Sequence, residues 1–212
     1  MKQNIETTLP AHGRKSRSVA GTLLAALVCG TVLGLNSANT ALAAGTLEQG
    51  PQWTADGQLK LPQGFHTWVF LGSPLTPHGL NDGKAGFPEF HNVYIQPEAY
   101  QTYRRTGEFP EGTILLKELQ LTQPGTHADG SRVESSGRGY FPGTANGVDI
   151  SVKDSKRFRN TNGWGFFNFG HHAPPYAPTA TLQPKEACAG CHEANATNMV
   201  FSEFYAPILD AK

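Results

Sequence analysis

Basic charge, cysteine and uninterrupted apolar sequence are all scarce in this chain. Its 17 lysine and arginine residues equal its 17 aspartate and glutamate residues, so no positive excess favours nucleic acid or anionic lipid as a partner. One apolar run, over residues 19–35, approaches the length of a membrane span, but glycine and threonine residues interrupt it. We therefore expect neither a nucleic-acid-binding protein nor a transmembrane anchor.

The N-terminal segment instead has the pattern of a secretory signal peptide. Its basic start contains Lys2, Arg14, Lys15 and Arg17. The apolar run follows, and a small-x-small cleavage pattern at residues 41–43 stands before Ala44. The prediction is a leader over residues 1–43 and a single domain over residues 44–212, located in the periplasm and free of the membrane after cleavage. Removal of the leader changes the charge balance to 13 − 16 = −3.

The few cysteines point to covalent haem attachment. Cys29 lies in the predicted leader, and the other two belong to the segment Cys188-Ala189-Gly190-Cys191-His192, the C-x-x-C-H pattern. Two thiols one helical turn apart can each bond a vinyl group of one porphyrin, and the adjacent histidine can ligate the iron. A zinc site would need further ligands at suitable spacing, and a redox dithiol does not require the histidine. We therefore predict haem c held by Cys188, Cys191 and His192.

Few residues are placed to ligate the opposite side of the iron. Met199 is the only methionine after the leader, and it follows His192 by seven residues, about two helical turns. A continuing helix would keep it on the same side of the haem as His192. His171 and His172 lie in a proline-rich loop and are interpreted as surface residues. The sequence thus favours an open sixth position that binds a small molecule over a plain electron carrier.

The remaining chain is rich in glycine and proline, with short apolar runs between turn signals, which is typical of β structure. Strands are predicted over residues 65–71, 90–95, 113–121, 140–141, 148–152 and 164–169, with a turn at Asn146-Gly147. One helix is predicted over residues 97–106, because Pro97 suits a first helical position and Gly107 suits the end. A C-terminal helical segment over residues 185–196 carries the cysteines, and helical spacing continues over residues 199–205 until Pro207.

Lys117 is the unusual residue of the predicted strand over residues 113–121. Alternation places it on one face with Leu115, Leu119 and Leu121. A lysine on an apolar face is costly unless it is neutral, paired or chemically used. The pattern alone favours the simplest interpretation, a lysine whose ammonium group reaches water from a strand edge.

Ordered matches along most of the predicted domain show that the sequence resembles the cytochrome P460 family. The matching segments are LNDGK at 80–84, VYI at 93–95, PE at 97–98, TGEF at 106–109, GT at 112–113, KEL at 117–119, GYF at 139–141, SVKDSKRF at 151–158, MVF at 199–201 and FY at 204–205. So many matches in order are far more specific than the C-x-x-C-H pattern alone.

The resemblance implies a mainly β (α+β) fold, with an antiparallel sheet and a few helices, in a homodimer. It implies a five-coordinate haem whose proximal ligand is His192. It also implies that the side-chain nitrogen of Lys117 is bonded to a meso carbon of the porphyrin, a role that requires the neutral, nucleophilic amine. The family's distal carboxylate corresponds to Asp149, where a family member carries the longer glutamate; alternation alone would make Asp149 a solvated strand residue.

The resemblance further implies a periplasmic enzyme that oxidises hydroxylamine to nitrous oxide. Asp149 would accept a proton from the substrate, and the electrons would leave to a periplasmic acceptor cytochrome. An alternative is a protein similar to cytochrome c′-beta, which binds nitric oxide or carbon monoxide without turnover and lacks the cross-link. Lys117 and the acidic distal candidate Asp149 favour the enzyme.

Overall fold

The computed structural model describes residue 47 and residues 49–211, so the predicted leader lies outside the described residues. The strands are β1 (Leu59–Lys60), β2 (Val69–Gly72), β3 (Phe90–Ile95), β4 (Ile114–Thr122), β5 (Arg132–Glu134), β6 (Gly137–Gly139), β7 (Pro142–Lys153), β8 (Trp164–Asn168) and β9 (Thr179–Ala180). The helices are α1 (Pro97–Thr106), α2 (Ala189–Asn195) and α3 (Ala206–Leu209). None of the described helices is both long and apolar enough to cross a bilayer.

The architecture is built on one five-stranded antiparallel sheet, with the described α-helices packed against one face. Five strands pair in the order β2-β3-β4-β7-β8, and every neighbouring pair in this sheet is antiparallel. Two small antiparallel pairs, β1 with β9 and β5 with β6, lie outside it. The predicted fold class, mainly β with a few helices and a helix at the cysteine motif, is confirmed.

The two faces of the sheet bury separate hydrophobic cores. The front face, as we call it, packs against α1 and the C-terminal segment, and its core contains Val93, Ile95, Leu115, Phe166, Ala99, Tyr103, Met199, Val200, Tyr205 and Ile208. The back face buries Ile114, Leu116, Val148, Ile150, Val152, Phe167 and Phe169. Alternation along β4 and β7 sends consecutive side chains to opposite faces, so β4 contributes to both cores, whereas β7 contributes apolar side chains to the back core and polar ones to the front face. The half-buried Cys188 packs against the front core.

Helix α1 matches its predicted bounds. Pro97 occupies the first turn, where its missing N–H costs nothing, and Glu98 lies in the same turn. Gly107 ends the helix with φ 73°, and its N–H donates to the carbonyl of Tyr103. The helix buries Ala99 and Tyr103 in the front core, which anchors it to the sheet.

Three predicted elements are wrong in whole or in part. Residues 140–141, predicted as a strand, lie between β6 and β7 and belong to neither. Residues 65–67 form a turn of 3-10 helix, and the strand predicted over 65–71 begins only at Val69. The predicted turn at Asn146-Gly147 is instead an irregularity within the long strand β7, where the pairing with β4 shifts by one residue. Gly147 has φ 155°, and a Cβ there would lie 2.8 Å from the carbonyl oxygen of Gly170. Glycine at this position therefore signals a close backbone approach and not a chain reversal.

The C-terminal segment is less helical than predicted. Helix α2 covers only Ala189–Asn195, within the predicted 185–196. Residues 199–205 contain a single 3-10 turn, because Asn198 and Met199 both adopt positive φ and break the helical path. Pro207 lies in the first turn of α3 and does not end a helix.

Candidate functional site

His192 is held in the orientation that a metal-ligating histidine needs. Its Nδ1 donates a hydrogen bond of 2.8 Å to the carbonyl oxygen of Met199, which leaves Nε2 free to ligate a metal. The ring packs between Phe166 and Phe201, with centroid separations of 4.5 and 4.9 Å. Burial lowers the pKa of His192, and the charge of Lys117 adds to that effect while the bond to Met199 opposes it. The neutral imidazole, the form that binds iron, is thereby favoured.

The two cysteines lie beside His192 and fit haem c. Neither thiol forms a disulfide; Cys188 is half-buried and Cys191 is exposed. Cys188 immediately precedes α2 and Cys191 lies within it, so the two thiols are about one turn apart and available for thioether bonds. Burial raises the pKa of the Cys188 thiol, so the thiol is not poised as a free thiolate.

Met199 lies on the same side of the site as His192, as the short spacing predicted, but a continuous helix is not the reason. Helix α2 ends at Asn195, so no continuous helix carries the methionine. Its carbonyl binds His192, and its sulfur accepts a weak hydrogen bond of 3.7 Å from Asn162. The side chain is buried in the front core. Both contacts tie Met199 to the histidine's side of the site.

Lys117 and Asp149 form an ion pair on the front face. They are directly opposite each other in the β4–β7 register, and Lys117 Nζ lies 2.9 Å from Asp149 Oδ2. The two side chains are only 27% and 23% exposed, so water screens this pair less than a surface pair. Lys117 also pairs in register with Val93, which belongs to the front core, and Cys188 packs against the same core. The pair therefore lies on the face of the sheet that carries the cysteine motif.

Asp149 has two further polar partners. Asn168 donates from Nδ2 to Oδ1 at 2.7 Å, and His171 Nε2 lies 3.3 Å from Oδ2. Burial alone would raise the pKa of Asp149, but the charge of Lys117, the bonds from Asn168 and Lys117, and the charge of His171 together lower it. Asp149 is thus a carboxylate whose charge is stabilised on several sides.

An aromatic ring from the loop before β3 covers this cluster. Lys117 Nζ lies 4.5 Å from the ring centroid of Phe87, a cation–π contact. The same ring meets His171 edge to face at 5.8 Å and His91 at 5.9 Å. Phe87 is 42% exposed, so it separates the ion pair from water on one side only.

Sequence reasoning missed His91 and Glu89, which lie next to the cluster. His91 follows the same alternation as Val93 and so belongs to the front face, where its Nε2 is buried without a partner among the described residues. Burial lowers the pKa of His91, and Lys117 adds to the effect. Glu89 is buried, and only its Oε1 is bonded, by Asn146. Alternation along β3 was a signal for His91, whereas the position of Glu89 depends on the path of the loop before β3, which no local pattern specifies.

His171 was interpreted as a surface residue, and the structure places it against Asp149. A signal was present, since His171 follows shortly after β8, whose Asn168 pairs in register with Asp149. His172 does resemble a surface residue, with Nδ1 bonded to the carbonyl of Ala173. Across residues 47 and 49–211, no group of three or more histidine, cysteine or acidic side chains could hold a metal ion by itself.

Comparison with known proteins identifies one family. The sequence profile described as Cytochrome P460 matches residues 62–202, about two thirds of the chain. No curated protein matches the chain with significant similarity. The matched span contains Lys117, Asp149, His171 and the entire segment from Cys188 to His192.

Proposed function

The chain belongs to the cytochrome P460 family and is a haem c protein, and we propose that it is a periplasmic enzyme that oxidises hydroxylamine to nitrous oxide. The observation that carries the proposal is the Lys117–Asp149 pair on the sheet face that also packs against Cys188. A reactive amine and a base are the two groups that distinguish such an enzyme from a carrier. An electron carrier has no use for either of them.

Each of the site residues has a separate proposed role in binding the haem. Cys188 and Cys191 would form the thioether bonds, and His192 Nε2 would ligate the iron, with Met199 fixing the ring through Nδ1. Lys117 Nζ would be bonded to the porphyrin. When bound, the haem supplies the open iron for the substrate and the route by which electrons leave to an acceptor cytochrome.

Asp149 is the proposed proton acceptor. Its carboxylate is fixed by Asn168 and is ready to accept a proton from a small amine-like substrate. Lys117 makes it a weak base while the amine is a free ammonium group, because that charge favours the carboxylate form. A Lys117 nitrogen bonded to an aromatic carbon no longer carries that charge. The cross-link would therefore raise the basicity of Asp149, so the two proposed roles support each other.

A second candidate is a nitric oxide- or carbon monoxide-binding protein without turnover, similar to cytochrome c′-beta. The observation that favours it is that the Lys117 ammonium group is already satisfied by Asp149 and the Phe87 ring. A lysine with these partners does not need a covalent bond to the porphyrin. The two candidates differ in whether hydroxylamine is consumed.

The experiment is performed on the holoprotein purified from a periplasmic fraction. We expect a high-spin, five-coordinate ferric haem by electron paramagnetic resonance, and nitrous oxide by gas chromatography when hydroxylamine and a redox-dye acceptor are added. A purely low-spin resting spectrum would count against the open site. Ligand binding without nitrous oxide would instead favour the second candidate.

Two further parts of the proposal concern the oligomeric state of the enzyme and its export. We propose a homodimer, which sedimentation of the holoprotein would reveal as twice the mass of the mature chain. We also propose export through cleavage of the leader, and mass spectrometry of the mature protein should show Ala44 as its first residue.

A further inference from the structure

His171 occupies the boundary between Asp149 and water. Its Nε2 lies 3.3 Å from Asp149 Oδ2, the same oxygen that binds Lys117 Nζ at 2.9 Å. The side chain of His171 is 45% exposed, whereas that of Asp149 is 23% exposed. The histidine therefore touches the buried carboxylate with one part of its ring and water with another.

The backbone fixes His171 in this position. The carbonyl of Gly170 accepts a hydrogen bond of 3.3 Å from the N–H of Val148, next to Asp149 in β7. This approach is possible because Gly147 has no Cβ: an added carbon would lie 2.8 Å from the Gly170 oxygen and 3.0 Å from the His171 ring. The edge-to-face contact with Phe87 holds the ring from the other side. The contact with Asp149 is thus built into the fold.

We propose that His171 is a proton-relay residue that receives the protons accepted by Asp149 and releases them to solvent. The inference rests on the proposed function. Conversion of two hydroxylamine molecules to nitrous oxide and water releases four protons with four electrons, and the acceptor takes only the electrons. Each proton must therefore leave Asp149 before the next substrate can be deprotonated. For each proton, an unprotonated Nε2 of His171 accepts hydrogen from protonated Asp149 while Nδ1 releases its hydrogen to water. This leaves hydrogen on Nε2, donated to the restored carboxylate, and exchange of the exposed ring with solvent returns hydrogen to Nδ1 before the next transfer.

A neighbour of Asp149 favours the transfer. The hydrogen bond from Asn168 lowers the pKa of Asp149 and remains when Lys117 loses its charge in the cross-link, so the carboxylate passes a proton on more readily than it would without that bond. Glu89 and His91 also lie near the cluster, and each has a buried side-chain atom without a partner among the described residues. Lys117 and Asp149 act electrostatically on Cys188 and His192 as well. His172 bonds to its neighbour's carbonyl and is not among the partners of Asp149. Of the described histidines, His171 alone combines contact with Asp149 and substantial exposure to water.

The first test compares His171→Gln with the control His172→Gln in the holoprotein. Glutamine can still donate a hydrogen bond to Asp149 but cannot relay a proton. We expect His171→Gln to slow hydroxylamine oxidation at least about tenfold, a smaller loss than the roughly 100-fold or greater effect of removing a direct base. Its rate should then rise with the concentration of a bulky tertiary-amine buffer that cannot ligate iron. Wild type and His172→Gln should be insensitive to that buffer.

The second test measures the contact between His171 and Asp149 in the absence of turnover. Nitrogen-15 spectra of histidine-labelled holoprotein, reduced and treated with carbon monoxide to make it diamagnetic, report which ring nitrogen carries hydrogen. We expect His171 to carry hydrogen on Nε2 in wild type and to lose this preference in Asp149→Asn. An unchanged His171 signal in Asp149→Asn, or His171→Gln turning over at the parent rate, overturns the relay. A wild-type protein that binds carbon monoxide but leaves hydroxylamine unoxidised overturns the proposed function, and the relay with it.

Discussion

Lys117 and Asp149 face each other across one register position of β4 and β7, with 2.9 Å between Nζ and Oδ2. In the sequence, Lys117 is unusual because it shares a strand face with leucines, and Asp149 is singled out because it corresponds to the family's distal carboxylate. In the structure, the two side chains form one ion pair. Removing Asp149 leaves the partly buried Lys117 without a carboxylate, and removing Lys117 leaves Asp149 with only Asn168 and His171, so each single change costs more than the pair itself contributes. Effects of single substitutions here should therefore not add, and the double variant Lys117→Leu/Asp149→Leu should be less damaged in stability than the single changes suggest.

The first prediction concerns a covalent bond at Lys117. Proteolysis of the holoprotein should yield one haem-bearing species that contains both the Lys117 peptide and the peptide spanning residues 188–192, detected by mass spectrometry. Lys153 is the matched control, because this lysine also lies on the central sheet with its Nζ 5.8 Å from an aromatic ring, that of Trp164. The Lys153 peptide should be recovered free. Lys117→Leu should give an ordinary haem c spectrum and no hydroxylamine oxidation.

Recovery of an unmodified Lys117 peptide from intact holoprotein would refute the cross-link. In that case the ion pair with Asp149 would be the whole role of Lys117. Lys117→Arg, which keeps the charge opposite Asp149, would then preserve the ordinary spectrum and the stability of the parent.

The second prediction concerns Asp149 as the proton acceptor. Asp149→Ala should bind hydroxylamine but oxidise it about 100- to 10,000-fold more slowly, the usual cost of removing a positioned base. Glu118→Gln is the control, because Glu118 is the neighbour of Lys117 on the opposite face and contacts His66 at 3.3 Å. It should turn over at the parent rate.

Asp149→Glu tests whether the length of the side chain limits the rate, because it keeps the carboxylate and adds one methylene group. If the short side chain limits the natural protein, the longer carboxylate should be faster in the same steady-state assay. Parent rates in both the alanine and the glutamate variants would show that Asp149 has no catalytic role.

The third prediction is a loss of stability in alkali that depends on Tyr205. Burial, with a smaller contribution from Glu203, raises the pKa of Tyr205 to about 12. An unfolded tyrosine ionises near pH 10, so the unfolded chain loses this proton first and stability falls as the pH rises from about 10 to about 12. The full shift corresponds to roughly 3 kcal/mol, since one pKa unit is about 1.4 kcal/mol. In thermal unfolding across this window, Tyr205→Phe should lose less stability than wild type. Equal losses of stability in wild type and Tyr205→Phe across this pH range would contradict the prediction.

The fourth prediction tests the packing of the back face. A Cβ on Gly165, in β8, would collide with the ring of Phe158, which is itself buried. Gly165→Ala should therefore destabilise the protein by about 1–3 kcal/mol, the usual cost of overpacking. Gly86 is the matched control, because an added Cβ there meets nothing within 4 Å. Urea unfolding should separate the two variants, and equal midpoints would show that the Phe158 side chain moves aside without cost.

Several features of this protein were determined by the sequence alone, because each depends on residues close together in the chain. The C-x-x-C-H spacing, the bounds of α1 and the strand over residues 90–95 are of this kind. Alternation also separated Asp149 from Val148 and Ile150 correctly, since β structure has a period of two. The family matches added the fold class, which the sheet order confirms.

Other features were decided only by the tertiary structure. The pairing of Lys117 with Asp149 depends on the β4–β7 register, and a shift of one residue would place Lys117 opposite a side chain of the other face. The bond from His192 to Met199 depends on positive φ at Met199, which helical periodicity cannot predict. His171 reaches Asp149 because Gly147 admits the backbone of Gly170. Each of these contacts joins segments separated by a turn or by intervening strands, so the folded chain alone brings them within hydrogen-bonding distance.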